Sequence, residues 1–314
     1  MVHFVRRLYH ELLGRTPESA DLKYFLELLR AGTPREDVTL LFAKSDEYRT
    51  LVRDALYTPP YPPHVVEHSY GRSRLAVCTA DEIASEWYDT DWPEVPELDF
   101  LGAHRLKPSA TVYDLGAHQG VYSLVLSSYV GDAGLVLAVE PDPFNAGLID
   151  VNRRLNGSPP VVTVLAAAAE HSGSLNFGRS RARGSNGQVD GRGASAGSVI
   201  VPAVSVDDLA QKFPPPDVVI VDVEGYECHV LRGASATLSR CVDWHVEIHT
   251  GAGLEDFGGS IEAVVDFFPE SRFCLYLSNE TFRYPKPLTP DLLREFSGER
   301  LYLTAISKDV SQKA

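Results

Sequence analysis

Along the first fifty residues, apolar side chains recur at helical spacing. Phe4, Val5, Leu8, Tyr9, Leu12 and Leu13 form one amphipathic stripe, and Gly14 should stop that helix. A second helix is expected from about Thr16-Pro17, with Leu22, Phe25, Leu26 and Leu29 inward and Gly32 behind them. Thr33-Pro34-Arg35-Glu36 reads as a third start: Thr33 as N-cap, Pro34 at the first helical position, Glu36 closing a capping box. Val38, Leu41 and Phe42 supply its apolar face. Ser45 should cap a last helix carrying Tyr48, Leu51 and Val52. Residues 1–54 are therefore expected to form a small all-α domain around one shared core.

Thr58-Pro-Pro-Tyr-Pro-Pro63 then breaks any helix and reads as a linker. It imitates the Pro-Pro-Tyr of enzymes that methylate nucleic-acid amino groups, but that motif belongs at the end of a buried strand. Residues 64–108 show no clear period, so 55–108 is read as linker and lead-in. Trp87, Tyr88, Trp92 and Phe100 make this stretch aromatic; they either pack it onto the following domain or line an acceptor pocket.

From residue 109 strands and helices alternate. Strands are expected at 111–114, 135–140, 161–166, 218–223, 244–249, 273–277 and 301–306, and helices at 121–128, 143–156, 226–238 and 261–268. The run 218–223 is almost continuously apolar, as a parallel strand covered on both faces should be. Residues 109–314 thus read as a doubly wound α/β domain. Residues 178–198 interrupt it with Gly, Ser and four arginines, Arg179, Arg181, Arg183 and Arg192. That segment is either a surface loop or a lid that meets an anionic acceptor.

Composition narrows the function classes. The 314 residues carry a formal net charge of −14, which disfavours nucleic-acid phosphates and anionic membranes as partners. No apolar run reaches the roughly 18 residues of a membrane span. Arg6, Arg7 and Glu11 interrupt the N-terminal apolar residues, so a signal peptide is not expected. Cys78, Cys228, Cys241 and Cys274 lack Cys-x-x-Cys spacing and read as free thiols of a cytoplasmic protein. A 44% hydrophobic content suffices for a core without disulfides or structural metal.

The chemistry gathers at strand ends. The strand ending at Asp114 runs into Asp114-Leu-Gly116-Ala-His118-Gln-Gly120, a glycine turn that lets a ligand approach backbone N–H groups. A dinucleotide fingerprint would need glycine where His118 and Val121 stand, so a nucleoside without a pyrophosphate fits better. Glu140 ends the next strand, about 20 residues on, where a carboxylate accepts hydrogen bonds from both ribose hydroxyls. Asp222 and Glu224 share a face by alternation at the end of the apolar strand, and Glu247 and His249 do so on the next. If those strands are neighbours, four ionisable groups converge at the ligand-binding edge.

Taken together, these residues resemble the FkbM-type methyltransferase family over about residues 100–310. The resemblance rests on Tyr113-Asp114-Leu-Gly116-Ala-His-Gln-Gly120-Val-Tyr122-Ser123, Val139-Glu140-Pro-Asp-Pro-Phe-Asn145, Asn152 with Leu155-Asn156, Ser205-Val-Asp207-Asp208-Leu209, Val221-Asp222-Val-Glu224-Gly225 and Glu247-Ile-His249. It implies a Rossmann-like class I methyltransferase fold, S-adenosylmethionine as cofactor, and O-methylation of sugars or natural products. It further implies cofactor contacts from Asp114, Gly116, His118, Gly120, Tyr122, Ser123, Glu140, Asn145 and Ala168. Two positions depart from the family: His118 stands where Asn is usual, and Ile220 where Lys is frequent. The N-terminal segment resembles a small bacterial helical domain of unknown function, on Phe4-Val5-Arg6-Arg7-Leu8-Tyr9, Leu12-Leu13-Gly14-Arg15-Thr16-Pro17 and Ser45-Asp46-Glu47-Tyr48-Arg49. That resemblance implies an interaction module for oligomerisation or substrate recruitment beside enzymes of sugar and surface chemistry.

An alcohol is a poor nucleophile until its proton is removed, so O-methylation needs a base or a metal. His249, oriented by Glu247 or Glu224, is the expected base. A magnesium ion held by Asp222 and Glu224 is the alternative. A peptide or protein carboxylate acceptor, needing no base, and a non-catalytic S-adenosylmethionine-binding module are the competing functions.

Overall fold

The structure is a computed structural model that describes residues 1–13, 15–48, 63–179, 187–189, 198–295 and 300–308. Gly14, Leu51, Val52, the run 58–62 and Arg181, Arg183 and Arg192 lie outside the described residues.

Three amphipathic helices open the chain: α1 (Val2–Leu13), α2 (Ser19–Arg30) and α3 (Arg35–Ala43). The inward stripe of α1 packs on Leu26, Leu29 and Phe42, with the Tyr9 and Phe42 rings edge to face at 4.8 Å. The third start differs from expectation. Pro34 is itself the N-cap, in extended backbone, and no side chain caps the helix. The capping box lies instead at the head of α2, between Glu18 and Asp21. Ser45 caps the following turn as expected, its Oγ accepting the Tyr48 N–H at 3.1 Å. Arg15 ties the ends of this layer together through Glu47 at 2.5 and 2.8 Å and Asp21 at 3.3 Å. These helices share a core with Ala146 and Leu165 of the α/β domain, and Tyr48 donates its hydroxyl to the Ile200 carbonyl at 3.1 Å.

The lead-in has more structure than its lack of period suggested. A hairpin, β1 (His64–Tyr70) and β2 (Ser73–Thr79), is followed by α4 (Glu82–Tyr88) and α5 (Pro96–Gly102). Asn152 and Asn156 anchor β2 by accepting the Cys78 and Ala76 N–H groups at 2.7 and 3.0 Å.

The α/β domain then builds an eight-stranded sheet. Its strands are β3 (Thr111–Leu115), β4 (Leu135–Glu140), β5 (Val161–Leu165), β10 (Val218–Val221), β11 (Asp243–Ile248), β12 (Phe273–Ser278), β13 (Lys286–Pro287) and β14 (Leu301–Ser307). Their order across the sheet is β13-β12-β14-β11-β10-β3-β4-β5. The five strands β5-β4-β3-β10-β11 run parallel, and β14 returns antiparallel between β11 and β12. Strand order reverses at β3, the switch point where α/β sheets leave a crevice at their carboxyl ends. Helices α6 (Val121–Val130), α7 (Pro143–Leu155), α8 (Val206–Lys212), α9 (Glu227–Arg232), α10 (Ser235–Leu238), α11 (Ile261–Asp266) and α12 (Pro290–Glu295) connect these strands. One apolar cluster forms on either face of the sheet.

Two further differences from the sequence reading have clear causes. The helix expected over 226–238 breaks at Gly233-Ala234, and α10 restarts under Asp207, which accepts the Ala236 and Thr237 N–H groups at 2.8 Å each. Between β5 and α8 the chain makes a second small sheet of β6 (Ala167–Ala168), β7 (Gly173–Arg179), β8 (Gly187–Val189) and β9 (Ser198–Val204). Leu175 and Phe177, with Val199 and Val201, form its apolar patch on either side of the Gly-, Ser- and Arg-rich run 178–198.

Candidate active site

The glycine turn leaves β3 at the centre of the sheet. Gly116 has φ +93°, and a Cβ there would lie 1.7 Å from the Asp222 carbonyl oxygen, so only glycine lets the turn pass this close to the exit of β10. His118 follows with φ +49°, a conformation in which Asn and His are the better-tolerated side chains. Its Nδ1 pairs with the Tyr88 hydroxyl at 2.7 Å. Its backbone N–H donates to Glu140 Oε2 at 2.9 Å, while the Asp142 N–H donates to Oε1 at 2.8 Å. Both Glu140 oxygens are thus fixed by backbone, and burial pushes the carboxyl well above the usual range.

A narrow cleft runs past Gly116, His118, Glu140, Asn145, Ala168 and Phe177 and on to Asp222 and Glu224. Beside it opens a larger cavity of about 470 Å³, which Asp114, Gly116, His118 and Tyr122 also line. Tyr122, expected against the cofactor, reaches only this larger cavity, where its hydroxyl donates to Glu97 Oε1 at 3.1 Å. Gly120 and Ser123 line neither of these two cavities. Gly120 begins α6 with φ +80°, and Ser123 donates its hydroxyl to Asp114. Burial lifts the Asp114 carboxyl to about 6.

Strands β10 and β11 are neighbours, and the four ionisable groups do meet. Strand alternation is not what unites Asp222 and Glu224, however. β10 ends at Val221, and residues 222–225 form a turn with Glu224 at φ +52° and Gly225 at φ +99°. This backbone turns both carboxylates toward His249, which sits one residue beyond β11. His249 Nε2 lies 3.5 Å from Asp222 Oδ1, 3.5 Å from Glu224 Oε2 and 3.6 Å from Glu247 Oε1.

The expected orienting residue is corrected. Neither Glu247 nor Glu224 holds the ring; His249 Nδ1 donates to Glu227 Oε1 at 2.6 Å, and the Gly225 N–H donates to that same oxygen at 2.9 Å. Glu227 and His249 are both fully buried. Glu227 stands three residues after Glu224 at the start of α9, a place where an acidic residue reads as a helix-end charge, so sequence gave no reason to single it out. Burial works against a charged ring, but the Glu227 hydrogen bond and the facing carboxylates raise His249 above its ordinary value. Burial likewise pushes Glu247 up to about 7, although Arg300 Nη1 stands 3.1 Å from it.

The larger cavity has aromatic walls from Trp87, Tyr88, Trp92 and Tyr302. Three of these belong to the lead-in, and Tyr88 and Trp92 also pack on the core of the α/β domain, so the same aromatics both fasten the lead-in and line the cavity, while Phe100 packs on Tyr276 at 4.8 Å. Glu94, Glu97, Asn279, Glu280, Arg283 and Arg300 place polar groups around them, and Ile220 gives an apolar wall where the family often carries Lys. Trp87, Gly116, His118, Asp222 and Glu224 border both spaces, so the two meet at the carboxylates.

Residues 114–284 match the model of the methyltransferase FkbM domain. This chain belongs to the FkbM methyltransferase family. Residues 2–52 match a separate domain of unknown function, DUF4214, over the N-terminal helices. Hexuronic acid methyltransferase AglP of Haloferax volcanii is 27% identical over 199 residues, covering 62% of this chain and 77% of that protein. Among solved structures, methyltransferase FkbM from Methylobacillus flagellatus KT is 17% identical over 62% of this chain and 43% of its own, with a TM-score of 0.41. A SAM-dependent O-methyltransferase from Thermotoga maritima is 11% identical over 78% of each chain, also with a TM-score of 0.41. Among the described residues, no helix of this FkbM-family chain is long and apolar enough to cross a membrane.

Proposed function

We propose that the chain transfers a methyl group from S-adenosylmethionine to a hydroxyl of a sugar-like small molecule. The observation that carries this reading is the junction of two spaces at Asp222 and Glu224. Glu140 and Asn145 would hold the nucleoside in the narrow cleft, with the amino-acid arm lying over Gly116 toward Asp114. The acceptor would occupy the larger cavity, where aromatic faces with polar groups at their edges suit the apolar faces and hydroxyl rims of a sugar ring.

In this reading the acceptor oxygen attacks the methyl carbon in line with the carbon–sulfur bond. That bond breaks with its electron pair on sulfur, which leaves as the neutral thioether of S-adenosylhomocysteine. The hydroxyl proton passes to Glu247, the carboxylate of the cluster that borders the larger cavity alone. Sulfonium and carboxylate become thioether and carboxylic acid, so charge balances. Positioning and exclusion of water supply the rest of the rate.

A carboxylate acceptor fits this cavity less well. Asp114, Asp222, Glu94, Glu97, Glu224, Glu247 and Glu280 face it against Arg283 and Arg300, an excess of negative charge. The sugar part of the reading, though not the choice of hydroxyl over carboxylate, also agrees with the name of the hexuronic acid methyltransferase relative. The test pairs calorimetry of S-adenosylhomocysteine binding with methyl transfer from labelled S-adenosylmethionine to a panel of glycosides. Saturable one-to-one binding and label on a glycoside oxygen are expected. Absence of S-adenosylhomocysteine binding would refute the reading.

A further inference from the structure

The geometry points to a divalent cation site made by Asp222, Glu224 and His249, of the borderline class that accepts imidazole, such as zinc or manganese. Its mechanistic role rests on the methyl-transfer reading, but its existence does not. The argument begins with the histidine. Nδ1 meets Glu227 Oε1 at 2.6 Å, and with the ring hydrogen placed there Nε2 is the nitrogen whose lone pair can take an ion. Nε2 is buried, and among the described residues it has no hydrogen-bond partner. It is aimed at three carboxylate oxygens, at 3.5, 3.5 and 3.6 Å. Lone pairs facing lone pairs in a buried place repel unless a positive charge lies between them.

A proton on Nε2 is a poor fit, because N–H···O bonds run about 2.7–3.2 Å and all three oxygens lie beyond that. A metal ion fits. Two ligand atoms each about 2.0–2.2 Å from one cation are about 2.8–3.6 Å apart in tetrahedral or octahedral arrays. One donor atom each from Asp222, Glu224 and His249 falls within 4.8 Å of the others. Glu227 completes the pattern of a metal-binding histidine, whose second ring nitrogen donates to a carboxylate that fixes its tautomer. Glu247 is not a ligand here, since Arg300 engages the oxygen that faces the ring. The Asp222 and Glu224 side chains stay 45% and 23% exposed on the cavity side, which leaves coordination positions open to an acceptor. A cation there would lower the pKa of an acceptor hydroxyl beside it.

The test uses the full chain, stripped with a chelator and titrated with Zn²⁺ alone, Mn²⁺ alone and Mg²⁺ alone. Calorimetry and the loss of the free Mn²⁺ resonance signal should show one ion per chain, with Zn²⁺ and Mn²⁺ at least about 10-fold tighter than Mg²⁺. Asp222→Asn and His249→Gln should each abolish stoichiometric binding. Glu227→Gln, which touches no ion, should weaken binding about 10–100-fold. Should these variants fail to fold, Co²⁺ added to the unaltered protein should shift one exchangeable histidine ring N–H resonance far outside the normal range. No stoichiometric binding, binding unchanged in folded Asp222→Asn and His249→Gln, equal affinity for Mg²⁺, or no shifted ring N–H would overturn the site. Binding of S-adenosylhomocysteine is read separately, so its success without a bound ion removes the cation and leaves methyl transfer standing. Ion binding without S-adenosylhomocysteine binding does the reverse.

Discussion

Replacing Gly116 by alanine tests whether the glycine turn and the carboxylate turn are one mechanical unit. The new Cβ would sit 1.7 Å from the Asp222 carbonyl oxygen, a backbone atom that cannot swing aside as a side chain can. Left-handed backbone costs a non-glycine residue about 1–2 kcal/mol. Overpacking in a tight interior adds about 1–3 kcal/mol. The sum is about 2–5 kcal/mol, or a Tm lowered by roughly 3–8 °C at about 2.1 cal/mol/K of unfolding entropy per residue. Gly157→Ala is the control: its φ is +76° and a Cβ there meets nothing within 4 Å, so it isolates the conformational cost. Relief of the clash should push the turn away from β10 and move the His118 N–H that fixes Glu140. S-adenosylhomocysteine affinity should then fall at least about 10-fold, or 1.4 kcal/mol. Urea unfolding and calorimetry read the two effects. If Gly116→Ala unfolds like Gly157→Ala and binds the ligand as the parent does, the close approach has no energetic meaning.

Other expectations follow from single contacts. Glu140→Ala should weaken S-adenosylhomocysteine by about 1.5–3 kcal/mol for each ribose hydrogen bond lost, and unchanged affinity by calorimetry would place the ribose elsewhere. Asp114 rises from 3.8 to about 6 in the folded protein, so the fold binds that proton better than the unfolded chain, and stability present below pH 3.8 is lost as pH rises through about 6. Asp114→Asn should therefore make the ligand-free protein more stable near neutrality by up to about 3 kcal/mol. That advantage should shrink toward about pH 4 in urea melts, and one that is independent of pH contradicts the assignment. Leu40 of α3 is 6% exposed and joins the main core cluster, so Leu40→Ala should cost about 2–5 kcal/mol and lower one common transition. Calorimetric scans resolving a separate early transition for the helices would show that they fold independently.

Much of the α/β domain was legible because its strands are buried on both faces. Val218–Val221 and Leu135–Glu140 stand out as apolar runs, and the helix expected from residue 143 is α7, which Asp142 caps by accepting the Phe144 N–H. What stayed hidden is held by long-range partners. β1 alternates only weakly, with Val65 and Glu67 both outward, and its mate β2 is anchored by Asn152 and Asn156 more than seventy residues away. The second sheet is interrupted by residues whose composition outweighs the short apolar alternation of Leu175 and Phe177. The Thr33 cap failed for a local reason: Pro34 in extended backbone already ends the preceding segment, which displaces the helix start by one residue.

The residues read as one ionisable cluster do meet, through a geometry partly different from the expected one, and the difference matters for mechanism. Spacing of two along a strand brings Asp222 and Glu224 to one face, yet a regular strand would carry them past His249 along a line. The turn at Glu224 and Gly225 instead wraps them around Nε2, and its strained φ at Glu224 is stored where the charges converge. A base needs one acceptor aimed at open space, whereas His249 is enclosed, pinned at Nδ1 and faced by carboxylates at near-equal distances. That enclosure argues that His249 gathers positive charge between the carboxylates rather than meeting the acceptor, and the methyl-transfer reading accordingly gives the acceptor's proton to Glu247, which borders the larger cavity.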